Sequence, residues 1–194
     1  MAAFYTSSAR LAVKNRLGIP SGTTTFDTIL DDFIGQSVNR LSPKAQKEVA
    51  AQTKAVSVDS YGEATVDLSA LSTAVADVRL VEASSGFSWD PADSIHRHGV
   101  TLRVRDLDTA VTSLKLYGLN PYVLTDVPDA LQLAVIWFAM AEFYDYLAGD
   151  KAKYNIYVQT TGARGVDNMR DESAYFEAKA EAHLDEHSTM YGVQ

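Results

Sequence analysis

At 194 residues, with 46% hydrophobic and 22% charged side chains, the chain can bury a substantial core, which excludes disorder over most of its length. It has no cysteine, so disulfides, thiolate catalysis and cysteine-ligated zinc or iron–sulfur centres are excluded together, in keeping with a reducing interior. The formal net charge of -8 argues against a protein that grips nucleic acid, because phosphate neutralisation by cations supplies most of that affinity.

The chain starts Met1-Ala2-Ala3-Phe4-Tyr5, without a basic, apolar leader, so no signal peptide is expected. The longest apolar run, residues 133–141, falls short of the roughly 20 that a membrane span needs. The expectation is a soluble protein that begins in the cytoplasm.

A first helix is predicted over residues 8–17, stopped by Gly18-Ile19-Pro20-Ser21-Gly22. A second begins with Thr24 or Thr25 as N-cap. Phe26, Ile29, Leu30, Phe33, Ile34, Val38 and Leu41 recur along it at helical spacing, and Asp27, Asp31 and Asp32 sit toward the positive end of its dipole. Ser42-Pro43 closes it or opens the next, a short third helix expected over about 44–51.

The period then changes. Val56 and Val58 before Tyr61-Gly62-Glu63, and Ala64, Val66 and Leu68 after it, predict a hairpin over 54–68. Further strands are expected over 75–81, 99–104 and 111–117, separated by Ser84-Ser85-Gly86 and Asp90-Pro91-Ala92-Asp93. Helix resumes after Pro121, with Asp126 as cap and Pro128 in the first turn. It is apolar on nearly all sides through Leu147, as a central helix should be, and Gly149-Asp150 ends it. A short segment, 154–159, leads into the loop 160–165, and a last helix spans 167–187 with Met169, Ser173, Phe176, Ala180 and Leu184 inward. The fold class expected is α+β: an α-helical bundle, two N-terminal helices plus two or three C-terminal ones, with an inserted small antiparallel β unit. Residues 1–54 form its N-terminal helical region, 55–120 a β-rich insertion and 121–194 its C-terminal helical region.

Several constellations invite a chemical reading. His183-Leu184-Asp185-Glu186-His187 fits H-x-x-E-H, in which two imidazoles one helical turn apart can share a metal. The inverted zinc proteases with this pattern take a further glutamate downstream, and neither Glu nor Asp follows His187. The motif is therefore read as the polar flank of an exposed helix. His96 and His98, two apart, would face one side of a strand, with Asp90 and Asp93 the only carboxylates near in sequence; a polar strand edge is the expectation. Gly162-Ala163-Arg164-Gly165 lacks the spacing of a phosphate-binding loop and reads as a connection, with Arg164 a candidate partner contact. No G-x-S-x-G occurs, and Asp31-Asp32 is explained by its place at a helix start. No cofactor is called for. The cluster Trp137, Phe138, Phe143, Tyr144 and Tyr146 exceeds what one thin domain covers, so some of it, or of the second helix's stripe, is expected between subunits.

Two segments carry a family resemblance. One is Leu11-Ala12-Val13-Lys14-Asn15-Arg16-Leu17-Gly18-Ile19-Pro20, with the helix 26–41 that follows. The other is Val127-Pro128-Asp129-Ala130-Leu131-Gln132-Leu133-Ala134-Val135-Ile136, running on to Leu147-Ala148-Gly149-Asp150. The chain resembles the head–tail connector, or adaptor, proteins of tailed bacteriophages over about half its length, departing from compact members in the long segment 55–120. The resemblance implies a structural virion protein without catalysis. It would self-associate into a ring of about twelve copies between the portal ring and the tail or stopper proteins, closed by head-to-tail packing. Double-stranded DNA would pass through an acidic channel without specific binding. The β unit would reach a neighbour or the next ring, and the C-terminal residues 187–194, Tyr191 among them, would order on the portal. The alternatives are another neck, tail-completion or decoration protein of the virion and, more remotely, a metal-dependent hydrolase using His183 and His187, with His96 and His98.

Overall fold

The computed structural model describes residues 4–162 and 168–188. Among them the fold is mixed α+β, with five α-helices and two antiparallel sheets. The chain divides into two compact units, one from Met1–Gln46 with Pro121–Gln194 and one from Lys47–Asn120.

In the helical unit, α1 (Thr6–Leu17) stops because Gly18 takes a left-handed φ of 70° and turns its N–H back to the Lys14 carbonyl. Lys14, 3% exposed, is satisfied by the carbonyl oxygen of Thr23 and by Asp27 of α2 (Asp27–Asn39). Arg10 adds a bond to Asp31 at 2.6 Å, so the acidic start of α2 serves to hold α1. The expected threonine cap of α2 does not form. The Thr24 carbonyl accepts from the Asp27 N–H, and Phe26 takes the N-cap position, with its ring edge-on to Phe143 at 5.3 Å. Burial of an aromatic ring outweighs a cap worth about 1 kcal/mol.

The central helix α3 (Asp129–Gly149) is apolar on almost every side, and Leu131, Ala134, Val135, Phe138, Ala139 and Phe143 are fully buried. It packs against α1, α2, α4 (Lys151–Thr161) and α5 (Met169–Ser188). The break after Gly149 makes two helices where the sequence pattern suggests one helix and a short segment. Asp150 accepts from the N–H groups of Ala152 and Lys153 at 2.8 and 3.2 Å, capping α4, which runs on to Thr161. Met169, Ser173, Ala180 and Leu184 of α5 are buried, and Phe176 stacks on Tyr144 at 5.7 Å.

The other unit begins earlier than expected. The sequence suggests helix over 44–51; instead β1 (Lys47–Ala55) is an edge strand, and the helical unit ends at Gln46, not at 54. The remaining strands are β2 (Ala64–Asp67), β3 (Asp77–Ser84), β4 (Asp90–Pro91), β5 (Ser94–His98), β6 (Thr101–Arg105) and β7 (Ser113–Asn120). They form one sheet in the order β1-β7-β3-β4 and another in the order β2-β6-β5. The hairpin expected over 54–68 is therefore corrected: the chain does reverse at Asp59–Gly62, but β1 pairs with β7 and β2 with β6. Ala64, Val66, Leu102 and Val104 from one sheet share a core with Val81, Ala83, Leu114 and Leu116 from the other. Inside this unit Gln52, at a break in the β1–β7 register, donates to the Thr73 carbonyl and accepts from Ser72 and from the Thr73 N–H.

Candidate functional site

Helical spacing puts residues i, i+3 and i+4 on one face, so the last two turns of α5 bring His183, Glu186 and His187 together. One ligating atom from each lies within 4.8 Å of the others, the one such three-residue group among the described residues. The two imidazole centroids are 4.2 Å apart. His183 is half-buried against Trp137, edge-on at 5.2 Å, with its Nε2 2.7 Å from the carbonyl oxygen of Ala130 in the first turn of α3. Nδ1 of His187 lies 2.9 Å from the His183 carbonyl. A carbonyl oxygen only accepts, so each of these nitrogens carries its proton. The unprotonated nitrogens of the neutral rings are then Nδ1 of His183 and Nε2 of His187, and Glu186 on the same turn is exposed.

His96 and His98 behave differently. Both are exposed on β5, the edge strand of its sheet, and neither joins a three-ligand group among the described residues. Asp90 and Asp93 are exposed and complete nothing with them. Asp31 is tied to Arg10. Gly162 closes α4 with a φ of 65° and its N–H on the Val158 carbonyl, a helix stop. Arg164 and Tyr191, the two candidate partner contacts, lie outside the described residues.

A charged seam lies beside the histidine cluster. Arg40, just after α2, reaches Glu142 at 3.2 Å and also Glu177, with its guanidinium 4.2 Å from the Phe138 ring centroid. Lys44 reaches Glu181 at 2.6 Å and Asp185 at 2.7 Å, and its bonds to Asp185 and Glu181 raise its pKa. The sequence pattern places Glu177, Glu181 and Asp185 in water, and their side chains are 50%, 39% and 62% exposed while also facing two cations from the same unit. A groove of about 500 Å³ opens at the other end of α5, lined by Leu147, Lys151, Tyr154 and Arg170 among others. Among the described residues no helix is long and apolar enough to cross a membrane.

Of the aromatic surplus, Phe138 and Phe143 are fully buried within the chain and Tyr144 nearly so, while Trp137 and Tyr146, and Ile29 of the α2 stripe, are partly buried. Exposed large apolar residues elsewhere include Phe87, 100% exposed, with Trp89, Tyr61 and Val100 in the β unit, and Tyr5, Leu11 and Tyr175 on helices or their ends. Sequence reasoning missed Phe87, whose only signal was an aromatic residue following the turn Ser84-Ser85-Gly86. It also missed that Ala130 and Trp137 fix the ring of His183, because nothing local joins residues 53 positions apart.

Compared with known proteins, the chain matches no family model and no curated protein.

Proposed function

We propose that this chain is a structural assembly protein of a tailed-phage neck, a head–tail connector that self-associates into a ring between portal and tail. The observation that carries the reading is the packing of the two resembling segments on one another. The segment forming α1 and α2 and the segment forming α3 lie more than 80 positions apart, yet share one core through Phe26, Leu30, Ile34, Leu131, Phe138 and Phe143. A helical unit assembled from both ends of a chain, with a β unit of its own core inserted between them, supports an adaptor that carries a docking module. In this reading the acidic chain gives a channel wall that repels phosphate, so that the genome passes without sticking.

The test is to mix purified protein with portal rings from the same source and examine the particles by mass photometry and negative-stain microscopy. Closed rings capping the portal are expected. Failure to bind the portal and to form rings would refute the connector reading.

A second reading is favoured by the exposed Phe87, Tyr61 and Trp89, which make the β unit the main interface of a stopper, tail-completion or decoration protein. Phe87→Ser separates the two: it leaves portal binding intact in a connector docked by its helices and abolishes particle binding in a stopper docked by its β unit.

A further inference from the structure

We propose that the C-terminal turns of α5 form a divalent transition-metal site, in which His183, Glu186 and His187 hold one zinc-class cation. Three observations carry it, none of which depends on the neck reading. One nitrogen of each ring and one Glu186 carboxylate oxygen already lie within 4.8 Å of one another. Ligands about 2.1 Å from a common zinc are roughly 3.4 Å apart in a tetrahedron, so the remaining closure is a small side-chain adjustment, with Glu186 the exposed and most mobile member. The two rings are also held in the tautomers that metal binding needs. His183 donates from Nε2 to Ala130 and His187 donates from Nδ1 to the His183 carbonyl, which leaves one lone pair per ring. A backbone carbonyl behind each ligating imidazole is the arrangement that orients histidine at protein metal sites. Finally, the donor set is chemically selective. Two neutral imidazoles with one carboxylate suit zinc and its late first-row neighbours, whereas magnesium and calcium take oxygen ligands.

A cation held there carries two protein nitrogens and one carboxylate oxygen, with water completing the shell. Its structural consequence follows from the hydrogen bond of His183. Fixing that ring on the metal also fixes the bond to Ala130, so metal binding fastens the C-terminal turns of α5 to the first turn of α3.

The test uses the full chain, freed of metal with a chelator and titrated with zinc against a chromophoric competitor. One equivalent of zinc is expected to bind and to raise the thermal unfolding midpoint. His187→Ala should weaken binding by at least about tenfold. Glu186→Gln, at an exposed position that cannot disturb the core, should weaken it as well, and decides the matter if His187→Ala misfolds. His96→Ala with His98→Ala should leave it unchanged. A local readout comes from Trp137, left as the sole tryptophan by Trp89→Phe: copper(II) added to that variant should quench its fluorescence at one equivalent, since its ring is 5.2 Å from His183. Absence of zinc binding, binding insensitive to both His187→Ala and Glu186→Gln, or binding lost with His96 and His98 would overturn the proposal.

Discussion

The phenolic hydroxyl of Tyr157 in α4 donates to the carbonyl oxygen of Leu17, the last residue of α1, at 2.8 Å. The last carbonyls of a helix have no partner within it, and this one is buried. The bond therefore closes a helix end from 140 positions away, while the same ring packs edge-on against Phe143 at 5.7 Å. Tyr157→Phe keeps the ring packing and removes the hydroxyl, which also bonds with Tyr144. It should cost about 1–3 kcal/mol, the penalty of an unsatisfied buried acceptor, read as a lower urea midpoint at unchanged slope.

The same residue predicts a response to alkali. Burial, reinforced by the neighbouring Tyr144, pushes the Tyr157 phenol well above its ordinary value of 10.0. A raised folded value means that the folded state holds the proton more tightly than the unfolded chain. The stability it contributes is complete below about pH 10 and is lost progressively above it, as the unfolded phenol ionises first. Lys44, also raised, acts in the same direction but is common to wild type and variant. Urea midpoints measured from pH 9 to 11.5 should therefore fall more steeply for wild type than for Tyr157→Phe. Parallel curves would show that the phenol ionises alike in the folded and unfolded states, and would refute the raised value.

Arg40 combines two attractions that a lysine cannot reproduce together. Its planar guanidinium lies over the Phe138 ring while its nitrogens reach Glu142 and Glu177. The pairs are partly exposed, so each ion pair contributes at most about 1 kcal/mol, and the ring contact contributes a similar amount. Arg40→Ala should lower stability by about 1–2 kcal/mol, and Arg40→Lys should recover less than half of it. In 1 M salt the ionic share is screened and the contact with Phe138 persists, so the deficit of Arg40→Ala should shrink without vanishing.

How far the sequence revealed the fold depends on where each signal lay. The long helices were legible because burial is periodic along them: Leu30, Ile34 and Val38 in α2, or Ala180 and Leu184 in α5, repeat at one turn. β1 was not. Its residues, Lys-Glu-Val-Ala-Ala-Gln-Thr-Lys-Ala, are mostly exposed and include good helix formers, so no alternation marks it. What makes it a strand is β7, whose residues Ser113 to Asn120 pair with it from far along the chain. The supposed hairpin failed for the same reason. Alternation shows that a strand is half-buried and says nothing of its partner, and β1 and β2 went to different sheets. The histidine spacing on α5 was legible, but the ring tautomers depended on Ala130, which only the packing of α3 on α5 supplies.

Gly118 shows the same limit and yields the last prediction. The strand pattern stops at Tyr117 because a glycine interrupts it, yet β7 continues to Asn120. Here the absent side chain is what permits the pairing. A Cβ at Gly118 would stand 2.5 Å from the Asp77 carbonyl oxygen and collide with Cγ1 of Val75, where β3 breaks register between Val78 and Leu80. Val75 is itself buried and the Asp77 oxygen is backbone, so neither can retreat without disturbing β3. Gly118→Ala should therefore destabilise the β unit by about 1–3 kcal/mol, the cost of overpacking, although alanine normally improves on glycine in a strand. Amide hydrogen exchange locates the effect: protection should fall across β3 and β7, with the amides of α3 and α5 unchanged. An alanine variant as stable as wild type would mean that the β3 break absorbs the methyl group.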